Sequence, residues 1–408
     1  MHWVVRMIGS NPTGKAGLPM RTGLWLIGAR GSVATTVAAG AAAVRAGLGA
    51  PLGCVTTLDD FQGVPLPRFD EVVCGGHDIS DIDLVKRAEQ LVTDGVLPAG
   101  LPGLVEDDLR AVDARIRRGT SGEQDIRPGD IVDSLAADLA DFRSRNDLDS
   151  VVVVNVSSTE GPAVPHPAHA SLTALRCSLY EEPHARAQAP VLPSSSLYAF
   201  AAFTAGCPYI DFTPSTGARL PALAELAHER GMPWAGSDGK TGETLVKSVL
   251  APMFARRALR VRGWSGTNLL GGGDGATLDA EGPVNSKASS KAVVLPRILG
   301  YPVDGGVHIH NVPALGEWKT AWDHIVFEGF LGTRMSMQFT WQGCDSALAA
   351  PLVLDLARLM ATAQRARCKG PVPELAFFFK DPVGSHENSL ERQFTTLATW
   401  ARGLRVGS

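Results

Sequence analysis

From residue 23 onward, short apolar runs alternate with longer stretches of helical periodicity. Residues 23–27 predict a buried strand, and residues 32–47, rich in alanine and valine, predict a helix. Residues 151–156 are almost continuously apolar, which is typical of a central strand with helices on both faces. This alternation predicts an α/β fold with a Rossmann-like, doubly wound parallel sheet.

Further elements continue the alternation around two loop-rich segments. Residues 91–129 and most of residues 160–193 are rich in glycine, proline and polar residues, and we interpret them as irregular surface. Residues 52–58 are the candidate for the second strand. The later predictions are a helix at 195–205, a strand at 209–212, a helix at 221–230 and a strand at 233–235.

Composition narrows the class of protein. The 408-residue chain is 45% hydrophobic, enough for substantial cores, and its length favours two domains. Its 38 basic and 42 acidic residues are dispersed, which argues against nucleic acid as a partner. Six widely separated cysteines without CxxC pairs indicate a reducing compartment, and the sequence reveals no metal requirement.

Membrane and targeting signals are not evident in the pattern. No apolar run approaches the roughly 20 residues that a membrane span needs, and the first twenty residues lack the apolar stretch of a signal peptide. We therefore expect a cytoplasmic protein without membrane contact. Because Met20 immediately precedes the first strand, we expect residues 1–19 to be a disordered extension.

The turn after the first strand is a candidate dinucleotide site. Its pattern is GxxGxxA rather than GxGxxG, because Arg30 stands where a middle glycine is expected. Glycines at Gly28 and Gly31 would let backbone N–H groups approach a pyrophosphate at a helix N-terminus. A plain strand-to-helix turn is the alternative.

A carboxylate near the end of the second strand would bind the adenosine ribose. Asp59 and Asp60 follow the candidate strand, and Asp78, flanked by turn residues, is the other candidate. A carboxylate at this place favours NAD over NADP, although Arg30 leaves room for a 2′-phosphate.

A second glycine-rich turn, residues 236–244, precedes a predicted helix. Backbone N–H groups at the helix start, Lys240 and the hydroxyls of Thr241 and Thr244 would form a phosphate cradle. The ATP-binding P-loop would need a glycine at Trp234, so the pattern favours a substrate phosphate.

Two lysines follow a glycine-rich loop that begins at Asn268. Lys287 and Lys291 are four residues apart and would share one face of a helix. Like charges at this spacing cost roughly 0.2–0.5 kcal/mol unless an anion lies beside them. A phosphate or an enolate would supply that anion, and two solvated surface lysines are the alternative.

The order of these motifs resembles the inositol-3-phosphate synthase family. Residues 195–210 look like the helix and strand before the family's phosphate loop, and residues 236–244 are similar to that loop, Gly-Asp-Asp-x-Lys-Ser-Gly-Gln-Thr. Residues 268–291 resemble Asn-x-Leu-Gly-Asn-Asn-Asp-Gly followed by Ser-Lys-x-x-x-Lys. The remaining motifs lie at 312–319, 344–351 and 377–382, so the resemblance covers nearly all of the chain after the first strand begins.

The resemblance implies three groups of site residues. Around the reacting sugar it places Lys287, Lys291, Lys319, Lys380, Asp238 and Asp345. As the grip on the substrate phosphate it implies Lys240, Thr241, Gly242, Glu243 and Thr244. Near a bound NAD it places Gly28, Ala29, Arg30, Gly31, Ser32, Val33, Asp78, Ser158, Asp238, Asn268, Leu270 and Asp274.

The implied family reaction explains why lysines would be used. NAD oxidises a hydroxyl of D-glucose 6-phosphate, the adjacent carbon forms an enolate that attacks the aldehyde, and the ketone is reduced again to give 1D-myo-inositol 3-phosphate. Ammonium groups in a water-poor site stabilise the oxyanions, and crowding of cations lowers the pKa of a lysine. Lys287 is our choice for the proton transfer that accompanies hydride transfer, and Asp345 would orient a lysine.

Several positions depart from the family pattern. Gly272 stands at a family Asn, Thr241 and Glu243 replace Ser and Gln, and Arg30 interrupts the first turn. These changes lie at the phosphate end and the nicotinamide end of the implied site. The resemblance therefore defines the type of reaction better than it defines the substrate. The alternatives are closure of a five-membered cyclitol phosphate from fructose 6-phosphate, as in carbocyclic nucleoside biosynthesis, a simple NAD-dependent dehydrogenase, and a non-catalytic NAD-binding regulator.

The resemblance also implies a domain arrangement. We expect residues 20–244 together with 346–408 to form the NAD-binding domain. Residues 245–345 would form a smaller α+β domain for catalysis and for assembly into a homotetramer.

Overall fold

The computed structural model describes residues 20–121, 126–181, 190–271 and 294–405. The strands are β1 (Thr22–Ile27), β2 (Val72–Asp78), β3 (Ile116–Arg118), β4 (Ser150–Asn155), β5 (Tyr209–Asp211), β6 (Pro233–Gly236), β7 (Arg260–Leu270), β8 (Val307–Asn311), β9 (Trp318–Glu328), β10 (Arg334–Cys344) and β11 (Gly370–Pro371). The helices are α1 (Ser32–Arg45), α2 (Leu84–Thr93), α3 (Leu101–Leu104), α4 (Glu106–Asp113), α5 (Pro128–Arg145), α6 (Leu172–Tyr180), α7 (Ser194–Thr204), α8 (Pro221–Arg230), α9 (Glu243–Arg256), α10 (Asp345–Arg365) and α11 (Leu390–Gly403). A further helical stretch covers residues 294–299.

Seven of these strands form one parallel sheet in the order β11-β6-β5-β4-β1-β2-β3. The chain runs outward from β1 through β2 and β3, then returns to the other side of β1 with β4, β5 and β6. The sheet is therefore doubly wound, as the sequence predicts. Its last strand, β11, comes from the C-terminal part of the chain and pairs with β6.

Strand β1 shows why a central strand is apolar throughout. Leu24 and Leu26 belong to a core that includes buried residues of α1 and α10, whereas Trp25 and Ile27 belong to the core that α5 and α7 build on the opposite face. Because both faces of the strand are covered by helices, every side chain in it is buried. The predictions for β1, α1, β4, α7, β5, α8 and β6 are confirmed within one or two residues at each end.

The prediction of the second strand at 52–58 was wrong. This segment is irregular, with a short 3-10 turn at Val55–Thr57. The Leu52 residue in it is 86% exposed to solvent, which does not fit a strand in the core. The second strand is β2, whose glycines resemble a turn in the sequence. At Gly76 a Cβ atom would lie 2.1 Å from the carbonyl oxygen of Leu26, so glycine is needed for β2 to lie this close to β1.

The loop-rich segments contain more regular structure than predicted. Helix α4 and strand β3 lie within 91–129, and α6 lies within 160–193. The sequence signals were weak because α4 begins with three consecutive acidic residues and has one buried apolar side chain, Leu109. Packing against neighbouring elements, rather than propensity, stabilises such short helices.

Helix α10 corrects the expectation that no apolar run is long enough to cross a membrane. Among the described residues it is the one helix with the length and hydropathy of a span: it has 21 residues, and an 18-residue stretch of it has a mean hydropathy of 1.4. However, 78% of that stretch is buried inside the protein, where α10 packs against α1 and β4. Its apolar character is explained by its place in the core of the parallel sheet.

A second sheet has four strands in the order β10-β9-β7-β8. β9 is antiparallel to both β7 and β10, whereas β8 runs parallel to β7. Helix α9 covers one face, where Phe254 packs with Trp264 and Ile325 in a separate small core. The second sheet therefore belongs to an α+β unit whose β9 and β10 lead directly into α10.

Candidate active site

A cleft of about 730 Å³ opens at the carboxyl ends of β1 and β4. The strand order of the parallel sheet reverses here, which is where doubly wound sheets bind ligands. The second sheet contributes the opposite wall, with Leu270, Gly271 and residues 317–319. The cleft is lined by the predicted cofactor residues Gly28, Arg30, Gly31, Ser32, Val33, Asp78, Ser158 and Leu270, and also by Lys319 and Asp345.

The turn after β1 is shaped for close approach of an anion. Gly28 has a φ of +82°, and a Cβ atom there would lie 2.8 Å from the Cα atom of Ser157. The N–H groups of Gly28 and Ala29 donate to the carbonyl oxygen of His77, which holds the turn against β2. Helix α1 begins next with no side-chain cap and no acidic residue in its first turn. Its free N–H groups are therefore available to a pyrophosphate.

Asp78 is the acidic residue at the end of the true second strand. One of its carboxylate oxygens accepts the backbone N–H of Arg30 at 2.7 Å, and the other accepts the N–H of Ser80 at 2.7 Å. It thus stabilises the glycine turn while lining the cleft. Asp59 and Asp60 do not have this role, since they lie in a surface 3-10 turn where Asp60 pairs with Arg402.

A cluster that sequence reasoning missed lines the cleft at the start of α1. Glu317 accepts hydrogen bonds from Ser32 (2.6 Å), Arg87 (3.0 Å) and Ser346 (3.1 Å). Ser32 is the first residue of α1 and Ser346 is the second residue of α10, so Glu317 links the starts of these two helices through their side-chain hydroxyls. The only sequence signal was the position of Glu317 within the motif at 312–319, two residues before Lys319.

The phosphate-loop region brings four predicted residues into two ion pairs. The Lys380 ammonium donates to the Asp238 carboxylate at 2.8 Å. The Lys319 ammonium donates to Asp345, whose same oxygen also accepts the Thr241 hydroxyl at 2.7 Å. At Gly242 a Cβ atom would lie 2.6 Å from the Lys319 nitrogen, so glycine allows the ammonium to lie against the loop backbone.

The charge state of Asp345 follows from these contacts. Burial would raise the pKa of Asp345, but Lys319, Thr241 and Lys380 together hold it at about 2. Lys380 contributes through its charge, so the two ion pairs act on each other. The carboxylate therefore remains ionised at neutral pH.

Two predicted phosphate ligands have other partners. Lys240 is buried and donates to Gln393 of α11, and burial lowers the pKa of its ammonium to about 7. Glu243 forms a buried pair with Lys247 at 2.5 Å and accepts the amide of Asn268 at 2.7 Å. Glu243 and Asn268 therefore lie beneath the loop, at the junction of α9 with the second sheet.

The start of α9 retains groups suited to an anion. Its N-cap residue, Gly242, provides no side-chain cap. The Thr244 hydroxyl is buried and has no hydrogen-bond partner among the described residues. A buried hydroxyl without a partner is unfavourable, and a bound phosphate would satisfy it.

The floor of the cleft beyond β4 carries further polar groups that the sequence did not single out. Ser195, at the start of α7, donates its hydroxyl to Glu160, and the Ser195 N–H donates to the same carboxylate at 3.1 Å. Burial raises the pKa of Glu160, although these hydrogen bonds act in the opposite direction. Glu160, Ser195 and the predicted Ser158 all line the cleft.

Several predicted residues cannot be placed in this geometry. Asp274, Lys287 and Lys291, and the departure at Gly272, lie outside the described residues. Ala29 is buried beneath the turn and packs over Gly76, so it supports the turn rather than facing a ligand.

These features fit a dinucleotide. A pyrophosphate would bind at Gly28 and the uncapped start of α1. The adjacent carboxylate of Asp78 would bind a ribose. The fold and cleft define an NAD-dependent enzyme of the doubly wound α/β class with a second, smaller sheet beside the cleft.

Comparison with known proteins gives the family. The model of the myo-inositol-1-phosphate synthase family, an NAD-binding family, matches residues 22–402. Inositol-3-phosphate synthase 1 of Bacteroides thetaiotaomicron is 32% identical over 92% of each chain. Inositol-3-phosphate synthase 1 of rice, Oryza sativa, is 29% identical over 75% of this chain and 62% of its own length. The chain belongs to the myo-inositol-1-phosphate synthase family and uses NAD.

Solved structures show the same fold. The inositol-3-phosphate synthase of Caenorhabditis elegans matches with a TM-score of 0.80 at 22% identity, over 96% of this chain and 87% of its own. A myo-inositol-1-phosphate synthase-related protein from Thermotoga maritima matches with a TM-score of 0.75 at 24% identity, over 95% of this chain and 100% of its own. The predicted Rossmann-like fold with a second α+β unit is confirmed.

Proposed function

We propose that this protein is an isomerase that cyclises D-glucose 6-phosphate to 1D-myo-inositol 3-phosphate without net oxidation. The observation that carries the proposal is that Lys319 and Asp345 line the same cleft as the glycine turn at Gly28. A paired ammonium group beside a dinucleotide site is what a reaction that repeatedly places charge on oxygen requires. Bound NAD would supply a hydride acceptor that later returns the hydride.

The substrate phosphate would bind at the start of α9. Thr241, Gly242 and Thr244 present hydroxyl and backbone groups there, and the buried Thr244 hydroxyl lacks a partner among the described residues. The Lys319 ammonium, which lies against Gly242, adds a positive charge. Since Lys240 and Glu243 are engaged elsewhere, they would support the loop rather than contact the phosphate.

The lysines would stabilise the oxyanions of enolisation and ring closure. Lys319 and Lys380 are each held by a carboxylate, so their side chains are fixed before substrate binds. The Lys319 side chain donates to Asp345, which fixes its orientation for donating a further hydrogen bond to an oxyanion. Lys287 remains our choice for the proton transfer, and Lys291 for binding the substrate; both assignments rest on the motif.

The same proposal includes the division of the chain and its assembly. Residues 20–244 with 346–408 would form the NAD-binding domain, which is supported by the return of β11 to the first sheet. Residues 245–345 would form the catalytic and assembly domain. Its strands β9 and β10 expose Trp322 and Met335, which supports association through the second sheet into a homotetramer. We place the protein in the cytoplasm, acting on a small sugar phosphate.

The decisive experiment identifies the product. Purified protein with NAD is incubated with glucose 6-phosphate and, separately, with fructose 6-phosphate, and the products are identified by NMR while absorbance at the NADH band is followed. Glucose 6-phosphate should give a six-membered cyclitol phosphate with no net change in absorbance. If only fructose 6-phosphate gives a cyclic product, fructose 6-phosphate is the substrate and the proposed substrate is wrong. A steady rise in absorbance would indicate a simple dehydrogenase.

A further inference from the structure

The ribose end of the cleft contains an arginine that a dinucleotide phosphate could use. Arg30 follows Gly28 and Ala29 in the turn, and its backbone N–H is bonded to Asp78. An arginine near the ribose carboxylate is the feature that accommodates the 2′-phosphate of NADP in doubly wound folds. An arginine at this position would favour NADP as well as NAD, unless another residue of the protein already pairs with its positive charge.

The structure shows how this charge is matched. The Nε and one terminal nitrogen of Arg30 contact the same oxygen of Asp113, at 3.2 and 3.1 Å. The other terminal nitrogen donates to the carbonyl oxygen of Ser80 at 3.0 Å. The guanidinium therefore has a partner at all three of its nitrogens. The Arg30 side chain is 15% exposed and that of Asp113 is 25% exposed, so solvent screens this pair less than a surface pair.

The neighbouring charges do not replace Arg30. Arg118, the next arginine at this edge, donates to the carbonyl oxygen of Ile79 and pairs with Asp81. A 2′-phosphate entering here would meet the carboxylates of Asp78 and Asp113 with no cation left unpaired among these residues. Repulsion by like charges of this kind is an effective way to reject one ligand in favour of another.

We propose that Asp113 determines the cofactor specificity of this protein, because it holds the Arg30 guanidinium in an ion pair and so prevents it from binding a 2′-phosphate. Asp113 is the last residue of α4, a helix that the sequence did not reveal, and no part of its role requires contact with NAD. The inference concerns which dinucleotide binds and is independent of the sugar phosphate.

The test measures dissociation constants of NAD and NADP by calorimetry on the full-length protein after removal of bound nucleotide. The native protein should bind NAD at least about 50-fold more tightly than NADP. In Asp113→Asn the affinity for NADP should rise about tenfold, which corresponds to about 1.4 kcal/mol, while the affinity for NAD changes by less than about threefold. The gain should disappear in the double variant with Arg30→Gln.

Asp108→Asn is the matched control. Asp108 lies on the same helix and pairs with Arg45 at 2.7 Å, outside the cleft, so its removal should leave both affinities unchanged. Arg30→Gln alone, which does not depend on the stability of the Asp113 variant, should not raise the affinity for NADP, because the carboxylates of Asp78 and Asp113 then face a 2′-phosphate without the guanidinium. The proposal is overturned if Arg30→Gln raises the affinity for NADP, if Asp113→Asn leaves NADP binding unchanged, or if its gain persists in the double variant.

Discussion

Lys319, near the start of β9, donates a hydrogen bond to Asp345, the first residue of α10. The contact joins the second sheet to the core helix of the parallel sheet. Asp345 also accepts a hydrogen bond from the Thr241 hydroxyl, so one carboxylate orients both the ammonium and the loop at residues 236–244. The site is thus assembled at the junction of the two sheets.

Removal of the Lys319 ammonium should impair the chemical step. We expect Lys319→Met to lower kcat for cyclisation about 100- to 1000-fold, the loss typical of removing one preorganised oxyanion donor. The rate of cyclitol phosphate formation is the measurement. Lys369→Met removes an exposed lysine far along the chain and should be neutral; an equal loss in both variants would contradict the assignment.

The lowered pKa of Asp345 predicts how the stability of the protein changes at acid pH. Its pKa in the folded protein, about 2, lies below the ordinary value of 3.8, so it contributes stability that is present above pH 4 and is lost as pH falls toward 2. In Asp345→Asn the melting temperature should therefore depend less on pH between 4 and 2 than in the native protein. An unchanged slope in calorimetric scans would show that the ion pair with Lys319 does not lower this pKa.

Gly28 and Gly40 lie near each other in sequence but should respond oppositely to alanine. Gly28→Ala introduces a Cβ at positive φ and against Ser157, which should cost about 1–3 kcal/mol of stability and weaken NAD binding. Gly40, inside α1, has nothing within 4 Å of a Cβ, so Gly40→Ala should stabilise the protein by about 0.5–1 kcal/mol. Urea unfolding and NAD titration of both variants test this contrast.

The lowered pKa of Lys240 predicts how the stability of the protein changes at alkaline pH. Burial lowers its pKa from 10.5 to about 7, so between pH 7 and 10 the unfolded chain binds more protons than the folded protein at this group. Its contribution to stability therefore becomes more favourable as pH rises through that range. Lys240→Met should flatten the rise and leave the affinity for inorganic phosphate nearly unchanged. A large loss of phosphate affinity would show that Lys240 contacts the ligand.

Local patterns predicted much of the parallel sheet. Strands β1 and β4 are covered on both faces, and this burial leaves a continuous apolar run in the sequence. Strand β2 was missed for the opposite reason. Its glycines, including Gly76, are required by close contact with β1, yet in isolation they indicate a turn.

Some residues of the candidate site were predicted from sequence motifs, and others were not. The motifs located Lys319, Lys380, Asp238 and Asp345, which the structure brings together in two ion pairs. They gave no sign of Glu317 bridging to Ser32 and Arg87, because those contacts join residues more than 200 positions apart. Only the packing of the two sheets creates that bridge.

The sequence by itself determined the alternation of strands and helices around β1, β4, β5 and β6, the family and the use of NAD, because periodicity and motif order are properties of neighbouring residues. Only the tertiary structure decided which polar groups pair: Lys240 with Gln393, Glu243 with Lys247 and Arg30 with Asp113. The physical reason is that an ion pair or hydrogen bond depends on a distance of a few ångströms, which for residues far apart in the chain is set by how the elements pack.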